Sequence, residues 1–490
     1  MMNEPKKMNF LFIGVDQLRF DTLGVNGNDI CKTPHLDKLA REGINYNRAY
    51  TTAPLCTPAR ASMFTGLYAF THGMGTNCDM YHALSKELNN PEQLLHYKFL
   101  ESGYKCGYVG KWHVGTDKGP CDFGFEGQNV PGYGNCRFEE EFKTYLIEND
   151  LEYSIESPIY HNPNEKTLTA GIWNGTEAST TDYYLASRTM DMMKAYTDSE
   201  EAFLLTCQFW GPHGPHFPPT SYQGITDRSK IEPWINFEDD LEGKPGFVKR
   251  HLRDFYRKPP KNWDEWKELI GLYYDYTTFI DAQIGRIIDY LDELGIRDNT
   301  TIIFTTDHGD MKGVHGGLID KGFLYEEAMH IPFIVSHPEF KTGEVRDQFV
   351  SNMDILPTFM DIMGADISGL DGKSIMPTLK SETDKVRDVM YSEFHGIRFL
   401  YTQRMLVDDN NMKYIFTPGD EDELYDLDKD PGELTNLIHD SNYSKAKLLL
   451  QEKIKEQAVA ANDPVMDYVY KIFGEWENPS GKIDITAQKK

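Results

Sequence analysis

The sequence lacks any long hydrophobic run and any regular spacing of cysteines. No stretch approaches the roughly 18 apolar residues of a membrane-spanning helix, and the apolar run at residues 10–15 is too short for a secretory signal peptide. The seven cysteines are an odd number and include no CxxC pair, which disfavours a disulfide framework. We therefore expect a cytoplasmic protein with no signal peptide and no membrane association.

Basic residues are also scarce. Lysine and arginine total 50 against 77 aspartates and glutamates, so the net charge is −27. This charge excludes a broad attraction to nucleic acid or to an anionic membrane, and any anionic substrate must be held by local cations. The 40% hydrophobic content is that of an ordinary globular chain, and 490 residues allow two or three domains of roughly 150 residues each.

Short apolar runs alternate with helical patterns along most of the chain, which predicts an α/β fold with a mainly parallel sheet. The predicted strands are residues 10–15, 106–110, 202–209, 301–306 and 331–336. The clearest helix carries apolar residues from Ile280 to Leu294 at three- and four-residue spacing and stops at Gly295. Two polar, aromatic segments, 130–200 and 217–262, have weak periodicity and are interpreted either as excursions near a site or as surface loops.

The pattern changes near residue 380. Three or four short strands with Asp, Asn and Gly turns follow, and then a charged helix near 443–459. We expect a large α/β domain over residues 1–380 and a small C-terminal α+β domain with a short antiparallel sheet over residues 381–490.

Polar side chains follow four of the predicted strands, where an open α/β sheet places its ligands. They are Asp16, Gln17, Lys111, His113, His213, His216, Asp307 and His308. Taken singly, Asp16 could cap a helix, the histidines could be structural, and Asp307 could lie in a turn. Taken together, Asp16, Gln17, Asp307 and His308 suit a hard divalent cation such as Ca²⁺, Mg²⁺ or Mn²⁺, whereas a thiolate zinc site is disfavoured.

Cys56 begins a predicted helix, with Pro58 at an early helical position and Arg60 one turn along the same face. The positive end of the helix and the guanidinium favour a nucleophile or an anion at Cys56. A buried, unreactive thiol is the alternative interpretation of Cys56 alone.

These residues match known signatures. Residues 56–60, Cys-Thr-Pro-Ala-Arg, resemble the Cys-x-Pro-x-Arg signature of the formylglycine-dependent type I sulfatases, which belong to the alkaline phosphatase superfamily. Residues 103–113 match a second signature of that family, Gly-Tyr-x-Thr-x-x-x-Gly-Lys-x-His, except that Cys106 replaces the threonine. Further matches are Asp16, residues 212–215, residues 307–309, Lys321 and residues 423–437. The resemblance thus covers nearly the whole chain and implies an alkaline phosphatase-like fold whose catalytic domain is residues 1–380.

The resemblance also implies a mechanism. A formylglycine-generating or radical maturation enzyme would oxidise Cys56 to formylglycine, whose hydrated form attacks sulfur with one oxygen and expels sulfate with the other. The implied ligands of one divalent cation, with Ca²⁺ favoured over Mg²⁺ and Mn²⁺, are Asp16, Gln17, Asp307, His308 and the modified Cys56. Arg60, Lys111 and His113 would orient the diol, with His113 as the base. Lys321 and His213 would bind the sulfate and protonate the leaving alcohol.

The expected activity is metal-dependent hydrolysis of a small anionic sulfated substrate, either a sulfated sugar or a small organic sulfate. Gln17 stands where many relatives have a second aspartate, and this ligand set also resembles that of phosphonate monoester and phosphodiester hydrolases, which are the first alternative. A non-catalytic anion-binding protein with an unmodified Cys56 is the second alternative. Either His213 or His216 fits the family's histidine position, and we favour His213 because it lies nearer the strand end.

Overall fold

A computed structural model of the chain describes residues 6–160, 168–255, 260, 262–340, 342–397 and 400–465. The strands are β1 (Asn9–Asp16), β2 (Ile44–Tyr50), β3 (Lys105–Gly110), β4 (Glu126–Gly127), β5 (Tyr153–Tyr160), β6 (Leu168–Gly175), β7 (Phe203–Pro212), β8 (Thr300–Thr306), β9 (Phe333–Ser336), β10 (Glu344–Ser351), β11 (Val389–Phe394), β12 (Gln403–Asp408), β13 (Met412–Phe416) and β14 (Glu423–Asp426).

The helices alternate with the strands over most of the chain. They are α1 (Pro34–Glu42), α2 (Cys56–Thr65), α3 (Ala69–His72), α4 (His96–Glu101), α5 (Glu140–Glu148), α6 (Thr181–Asp198), α7 (Gly246–Phe255), α8 (Trp263–Glu293), α9 (Val314–Gly317), α10 (Glu326–Met329), α11 (Ile355–Ile362), α12 (Met376–Leu379) and α13 (Ser444–Ala460).

The central sheet has the strand order β10-β2-β9-β8-β1-β7-β3-β4 within the described residues. Strand β9 is antiparallel to both of its neighbours, and the other pairs are parallel. The predicted mainly parallel α/β sheet is therefore confirmed. Strand β1 is buried along its whole length because helices cover both faces of the sheet.

Side chains of β1 alternate between two hydrophobic clusters, one on each face of the sheet. Leu11 and Ile13 pack with α6 and α8, whereas Phe10 and Phe12 pack with α2, α4 and α11. This period of two places every second residue of a strand on the same face.

Helix α8 confirms the predicted apolar pattern but starts well before Ile280. Its first turn is capped by the Asn262 side chain, which accepts a hydrogen bond from the backbone N–H of Glu265. After its last turn, Gly295 adopts a φ of 66°, the left-handed conformation typical of a residue just beyond a helix.

The segment 130–200 is more regular than its sequence indicates. It contains α5, the β5–β6 hairpin and the 18-residue helix α6, while residues 161–167 lie outside the described part. Helix α6 escaped prediction because its buried face includes polar residues such as Asp182 and Thr189. In the segment 217–262, by contrast, the described residues form short 3₁₀ turns and α7, and no strand occurs among them.

Three strands of the central sheet were not predicted, namely β2, β10 and the two-residue strand β4. Strand β2 has the sequence INYNRAY and β10 has the sequence EVRDQFVS, and both carry polar residues. Strand β10 lies at the edge of the sheet and is partly exposed, so it lacks the continuous apolar run of a buried strand.

The C-terminal part contains the expected short antiparallel sheet, with the order β11-β12-β13-β14, and α13 packs against it. Apolar residues of this sheet share one cluster with the large α/β part, in which Met390 and Met405 pack with Leu55 and Met311. Among the described residues, no helix combines the length and the apolar character needed to cross a bilayer. The domain boundary at residue 380 stays a prediction.

Candidate active site

Four adjacent parallel strands, β8, β1, β7 and β3, end at the same edge of the central sheet. Asp16 is the last residue of β1, and Lys111, His213 and Asp307 directly follow β3, β7 and β8. Because the carboxyl ends of these strands meet, four segments distant in sequence bring their polar residues together. Cys56 reaches the same edge as the first residue of α2, whose ten positions are all buried.

Asp16, Cys56, Asp307 and His308 form a cluster that could hold a metal ion. Their ligand atoms all lie within 4.8 Å of one another, and all four residues are buried. The Cys56 Sγ lies 3.3 Å from His308 Nε2, and the His308 Nδ1 is 2.8 Å from the carbonyl of Gly309. Two carboxylates and an imidazole are ligands that hard and borderline divalent cations accept, so the residues present fit such an ion.

Gln17 lies beside this cluster but has other partners. Its Oε1 accepts a hydrogen bond from Lys321 Nζ at 3.0 Å, and its Nε2 donates to Asp310 Oδ2 at 2.6 Å. Its φ of 65° is uncommon for a residue with a side chain and marks local backbone strain at the end of β1. The role of Gln17 as a metal ligand stays a prediction.

Arg60 binds the two carboxylates of the cluster. Its NH2 donates to Asp16 Oδ2 and its Nε to Asp307 Oδ2, both at 3.0 Å, and its NH1 donates to the Lys111 carbonyl and to Gln208 Oε1. The guanidinium is fully buried. In the structure the donors of Arg60 hold the carboxylates in place, and its implied role in orienting the diol stays a prediction.

Two lysines surround Cys56 with positive charge. Lys321 Nζ lies 3.1 Å and Lys111 Nζ 3.8 Å from the Cys56 Sγ. Burial alone would raise the pKa of the Cys56 thiol, but Lys111, Lys321 and the His308 ring outweigh it and hold that pKa well below its usual range. The site therefore favours negative charge at the position of the Cys56 side chain.

The structure places His213, rather than His216, at this site. His213 Nε2 lies 2.8 Å from Lys321 Nζ. The backbone of His216 instead pairs with Thr169 and Gly171 of β6, and its ring packs against Tyr273. His213 and Lys321 are thus in direct contact. The catalytic role of His213 stays a prediction.

His113 has a partner that the sequence did not indicate. Its Nε2 lies 2.9 Å from Asp79 Oδ1. Burial alone would lower the pKa of His113, but hydrogen bonds with Asp79, Cys56 and Cys78 raise it to about 10. Asp79 therefore orients His113 and favours its protonated form. Residues 77–80 have no periodic pattern or motif that could have revealed this contact.

An aromatic rim covers Lys111. The Trp210 and Tyr133 ring centroids lie 4.2 Å and 5.0 Å from the Lys111 Nζ, and the two rings meet edge to face at 4.6 Å. The Tyr133 hydroxyl is 3.4 Å from His213 Nε2, while 41% of the residue is exposed. Tyr133 was missed because it lies in the weakly periodic segment that begins near residue 130.

Cys106, which departs from the second signature, lies away from the site. It is buried in the hydrophobic cluster with Phe99 and Tyr104, and its thiol donates to the His96 carbonyl at 3.7 Å. Burial raises the pKa of Cys106 to about 12, so the thiol stays neutral. At the position where the second signature has a threonine, this chain therefore has a cysteine side chain that packs in the core.

Comparison with known proteins agrees with this arrangement. The Sulfatase family model matches residues 8–365, and a model described as N-sulphoglucosamine sulphohydrolase, C-terminal, matches residues 313–460. The chain therefore belongs to the sulfatase family. The expected family and the expected enzyme class, a sulfuric ester hydrolase, are confirmed.

Curated relatives cover almost the whole chain. The uncharacterized sulfatase YidJ of Escherichia coli is 30% identical over 95% of this chain and 90% of its own length. The arylsulfatase of Clostridium perfringens is 30% identical over 91% of this chain and 94% of its own length. An N-acetylglucosamine-6-O-sulfatase of Bacteroides thetaiotaomicron is 25% identical over 94% and 88%, respectively.

Solved structures show the same fold. The phosphonate monoester hydrolase of Agrobacterium radiobacter is 23% identical, covers 93% of this chain and 96% of its own, and gives a TM-score of 0.77. A protein solved in complex with its substrate D-glucosamine-2-N,6-O-disulfate is 22% identical, covers 94% of this chain and 99% of its own, and gives a TM-score of 0.70. The alkaline phosphatase-like fold is therefore confirmed.

Proposed function

We propose that this sulfatase hydrolyses the sulfate ester of a sugar or small organic molecule, with a formylglycine made from Cys56 and one divalent cation. The observation that carries this proposal is the position of Cys56. Its side chain lies between two lysines and within ligand distance of Asp16, Asp307 and His308. A packing cysteine would have apolar neighbours instead.

The modification fits the local structure. Formylglycine supplies an aldehyde whose hydrate offers a hydroxyl nucleophile. The first residue of a helix lies at the positive end of the helix dipole, and the two lysines add to this field. A formylglycine-generating or radical maturation enzyme is therefore a required partner. The cytoplasm remains the proposed compartment, because the seven cysteines are an odd number and include no CxxC pair.

Asp16, Asp307 and His308 would hold the divalent cation, with Gln17 and the modified Cys56 as further proposed ligands. Ca²⁺ is the favoured ion, and Mg²⁺ and Mn²⁺ are the alternatives. Such an ion supplies positive charge that lowers the pKa of a hydroxyl and offsets the charge of ester oxygens. Arg60 holds the carboxylates of Asp16 and Asp307 in place by donating a hydrogen bond to one oxygen of each.

The remaining side chains act on the substrate. The ammonium groups of Lys111 and Lys321 converge on the Cys56 side chain and would donate to the sulfate oxygens as charge develops there. His213 contacts Lys321 and would protonate the departing alcohol. His113, oriented by Asp79, would act as the base that accepts the proton of the second diol hydroxyl when sulfate is expelled.

The alternative activity is hydrolysis of a phosphonate monoester or phosphodiester on the same site. Gln17 supports this alternative, because an Asp-Gln plus Asp-His ligand set also resembles that of these hydrolases. A sugar as the natural substrate is supported by the relative named N-acetylglucosamine-6-O-sulfatase. A non-catalytic anion-binding role requires Cys56 to remain a thiol.

The test compares protein made with and without a formylglycine-generating enzyme. Peptide mass spectrometry measures conversion of Cys56, and hydrolysis of an aryl sulfate and of a phosphonate monoester is measured on both preparations. We expect sulfate hydrolysis to increase in proportion to conversion and to disappear in Cys56→Ala. Cys121→Ser, at a half-buried cysteine outside the site, is the control and should keep full activity.

Equal aryl sulfate hydrolysis by converted and unconverted protein would contradict the proposed nucleophile. Faster turnover of the phosphonate than of every sulfate ester would favour the alternative activity. A Cys56 that stays a thiol even when made with the formylglycine-generating enzyme, together with no hydrolysis of either ester, would favour the non-catalytic role.

A further inference from the structure

The side chain at the centre of the proposed active site has no contact with solvent. Cys56 is fully buried. The basic side chains around it are at most 7% exposed, namely Lys111, His113, His213 and Lys321. A sulfate group must nevertheless reach the position of the Cys56 side chain in every turnover. Part of the wall around this position must therefore move when a substrate enters.

Tyr133 faces solvent on one side and the buried site on the other. The residue is 41% exposed, whereas Trp210, the other ring of the aromatic rim, is buried. The Tyr133 ring packs edge to face against the rings of His113 and His213, with centroid distances of 5.4 Å and 5.9 Å. Tyr133 therefore lies between water and the basic groups that surround Cys56.

The contacts of Tyr133 join two sides of the site. Lys111 and His113 follow strand β3, whereas Trp210 belongs to strand β7 and His213 follows it. The Tyr133 ring centroid lies 5.0 Å from Lys111 Nζ on the first side. Its hydroxyl lies 3.4 Å from His213 Nε2 on the second side. A side chain that spans two strand ends in this way closes the space between them.

The Tyr133 hydroxyl has an acceptor in this closed position. His213 Nδ1 lies 2.6 Å from the Gly214 carbonyl, so a neutral His213 ring carries its hydrogen on Nδ1 and accepts at Nε2. The hydroxyl then donates to Nε2 at 3.4 Å, which is a long and weak hydrogen bond. Such a bond holds the ring in place but breaks at little cost in free energy.

The backbone around Tyr133 allows the side chain to turn without its neighbours. Glycines lie on both sides, Gly132 with a φ of 63° and Gly134 with a φ of 73°. Because glycine has no Cβ, it changes between backbone conformations more freely than other residues. The chain is held on either side, since the Gly132 N–H donates to the Gly115 carbonyl at 2.8 Å and Asn135 caps the next 3₁₀ turn.

We propose that Tyr133 is a movable cover of the active site, which turns outward to admit the substrate and closes again over it. The inference rests on the proposed function for the substrate that enters. The cover itself is defined by the burial of Cys56 and by the contacts of the Tyr133 ring. In the closed position the ring keeps water from Lys111, where a fixed charge acts most strongly on a reacting group.

Alkylation of the Cys56 thiol measures how often the cover opens. Unconverted protein is treated with iodoacetamide in the presence of a chelator, which keeps metal ions off the thiol, and peptide mass spectrometry follows the modification of Cys56. We expect Tyr133→Ala to accelerate this reaction by about 10-fold or more, because minor states of proteins are populated at roughly 0.1–10%. Tyr133→Phe keeps the ring but loses the hydrogen bond to His213, so we expect an acceleration of about 2- to 5-fold.

Other cysteines distinguish opening of the cover from unfolding. Cys136 lies three residues beyond Tyr133 and is buried in a hydrophobic cluster, so its alkylation should stay slow in Tyr133→Ala if the surrounding chain keeps its fold. Tyr290→Ala is the matched control. Tyr290 is also half-buried, but it lies near the end of α8 that precedes the amino end of β8, whereas the site lies at the carboxyl ends of the strands. This variant should leave the Cys56 rate unchanged.

The same Cys56 rate in wild type and Tyr133→Ala would overturn this inference. Equal acceleration at Cys56 and Cys136 would also overturn it, because the variant would then unfold the segment. A third contrary result is a wild-type Cys56 that reacts as fast as the half-buried Cys121. The measurement needs no turnover, so converted enzyme that hydrolyses no ester would overturn the proposed function while the alkylation rates still decide whether Tyr133 is a cover.

Discussion

Lys321 contacts three residues of the proposed active site. Its ammonium lies within 3.1 Å of Cys56 Sγ, of His213 Nε2 and of Gln17 Oε1. The residue is only 4% exposed, so its charge acts in surroundings that water screens weakly. A fixed cation of this kind is most effective where charge develops during the reaction.

Lys321→Ala should therefore lower kcat by about 10²–10³ for sulfate esters with poor leaving groups. The loss should be appreciably smaller for an activated aryl sulfate, because its departing oxygen needs less protonation and less charge stabilisation. Steady-state rates with a series of esters of increasing leaving-group pKa measure this difference.

Lys413→Ala is the control for the loss of a buried lysine. Lys413 is also buried and pairs with Glu326 and Glu433, so its removal should destabilise the fold without changing the dependence on the leaving group. If Lys321→Ala loses the same factor on every ester, Lys321 does not assist the leaving group.

Residues of the site were predictable where they follow a buried strand. Asp16 and Asp307 have this signal, because an apolar run ends directly before each of them. Asp79 and Trp210 do not have it. Asp79 lies in an irregular loop, and the position of the Trp210 ring over Lys111 depends on tertiary packing that no local pattern encodes. Sequence therefore indicates the edge of the sheet where chemistry collects, but not the contacts that orient each group.

At the scale of elements, buried polar contacts fix helices whose own sequence does not cap them. Helix α1 has no side-chain cap from Thr33, the residue before it. Asp281 of α8 instead accepts hydrogen bonds from the backbone N–H groups of His35 and Leu36, at 3.0 Å and 2.8 Å. A carboxylate at this end satisfies two N–H groups that lack partners within the helix.

Asp281→Ala should lower the free energy of unfolding by about 1–3 kcal/mol, because it leaves these two N–H groups unsatisfied. The midpoint of urea unfolding measures the change. Asp289→Ala, at an exposed position of the same helix, should change stability by about 0.5 kcal/mol or less. Equal effects of the two substitutions would contradict the capping role.

We also expect the difference in stability between wild type and Asp281→Ala to depend on pH. Burial raises the pKa of Asp281 to about 7, above its value of about 3.9 in an unfolded chain. The folded state therefore binds this proton more tightly, and the stability that comes from it is lost as pH rises from about 4 to about 7. The stability difference between wild type and Asp281→Ala should narrow across this range, and a constant difference would contradict the raised pKa.

At the scale of the whole molecule, charge is divided between the surface and the site. The net charge of −27 repels a sulfate monoester at long range. Around Cys56 the sign is reversed, because the ammonium groups of Lys111 and Lys321 and the guanidinium of Arg60 are buried together at one edge of the sheet. The composition predicted that such a local positive region must exist, but its assembly depends on the order of the strands.

The C-terminal sheet contributes to the stability of the large α/β part. Lys413 of β13 donates to Glu326 of α10 at 2.9 Å, and Lys244 donates to the Tyr425 hydroxyl of β14 at 2.9 Å. The change of pattern near residue 380 indicated a separate domain, but it could not reveal these buried contacts. Contacts of this kind, together with the shared apolar cluster, favour cooperative unfolding of the two parts.

Ile454→Ala tests this coupling. Ile454 lies on α13, is fully buried, and packs in a cluster with Tyr391 and Leu406 of the C-terminal sheet. Its truncation to alanine should lower the free energy of unfolding by about 2–5 kcal/mol.

Six of the seven tryptophans lie at positions 112–266, so in a Trp476→Phe background tryptophan fluorescence reports only on the large α/β part. If the two parts unfold together, Ile454→Ala lowers the denaturation midpoint seen by these tryptophans, whereas Leu448→Ala, at a position of α13 that is 49% exposed, leaves it nearly unchanged. An unchanged tryptophan midpoint in Ile454→Ala, with loss of helical circular dichroism at lower denaturant, would show that the C-terminal part unfolds as an independent domain.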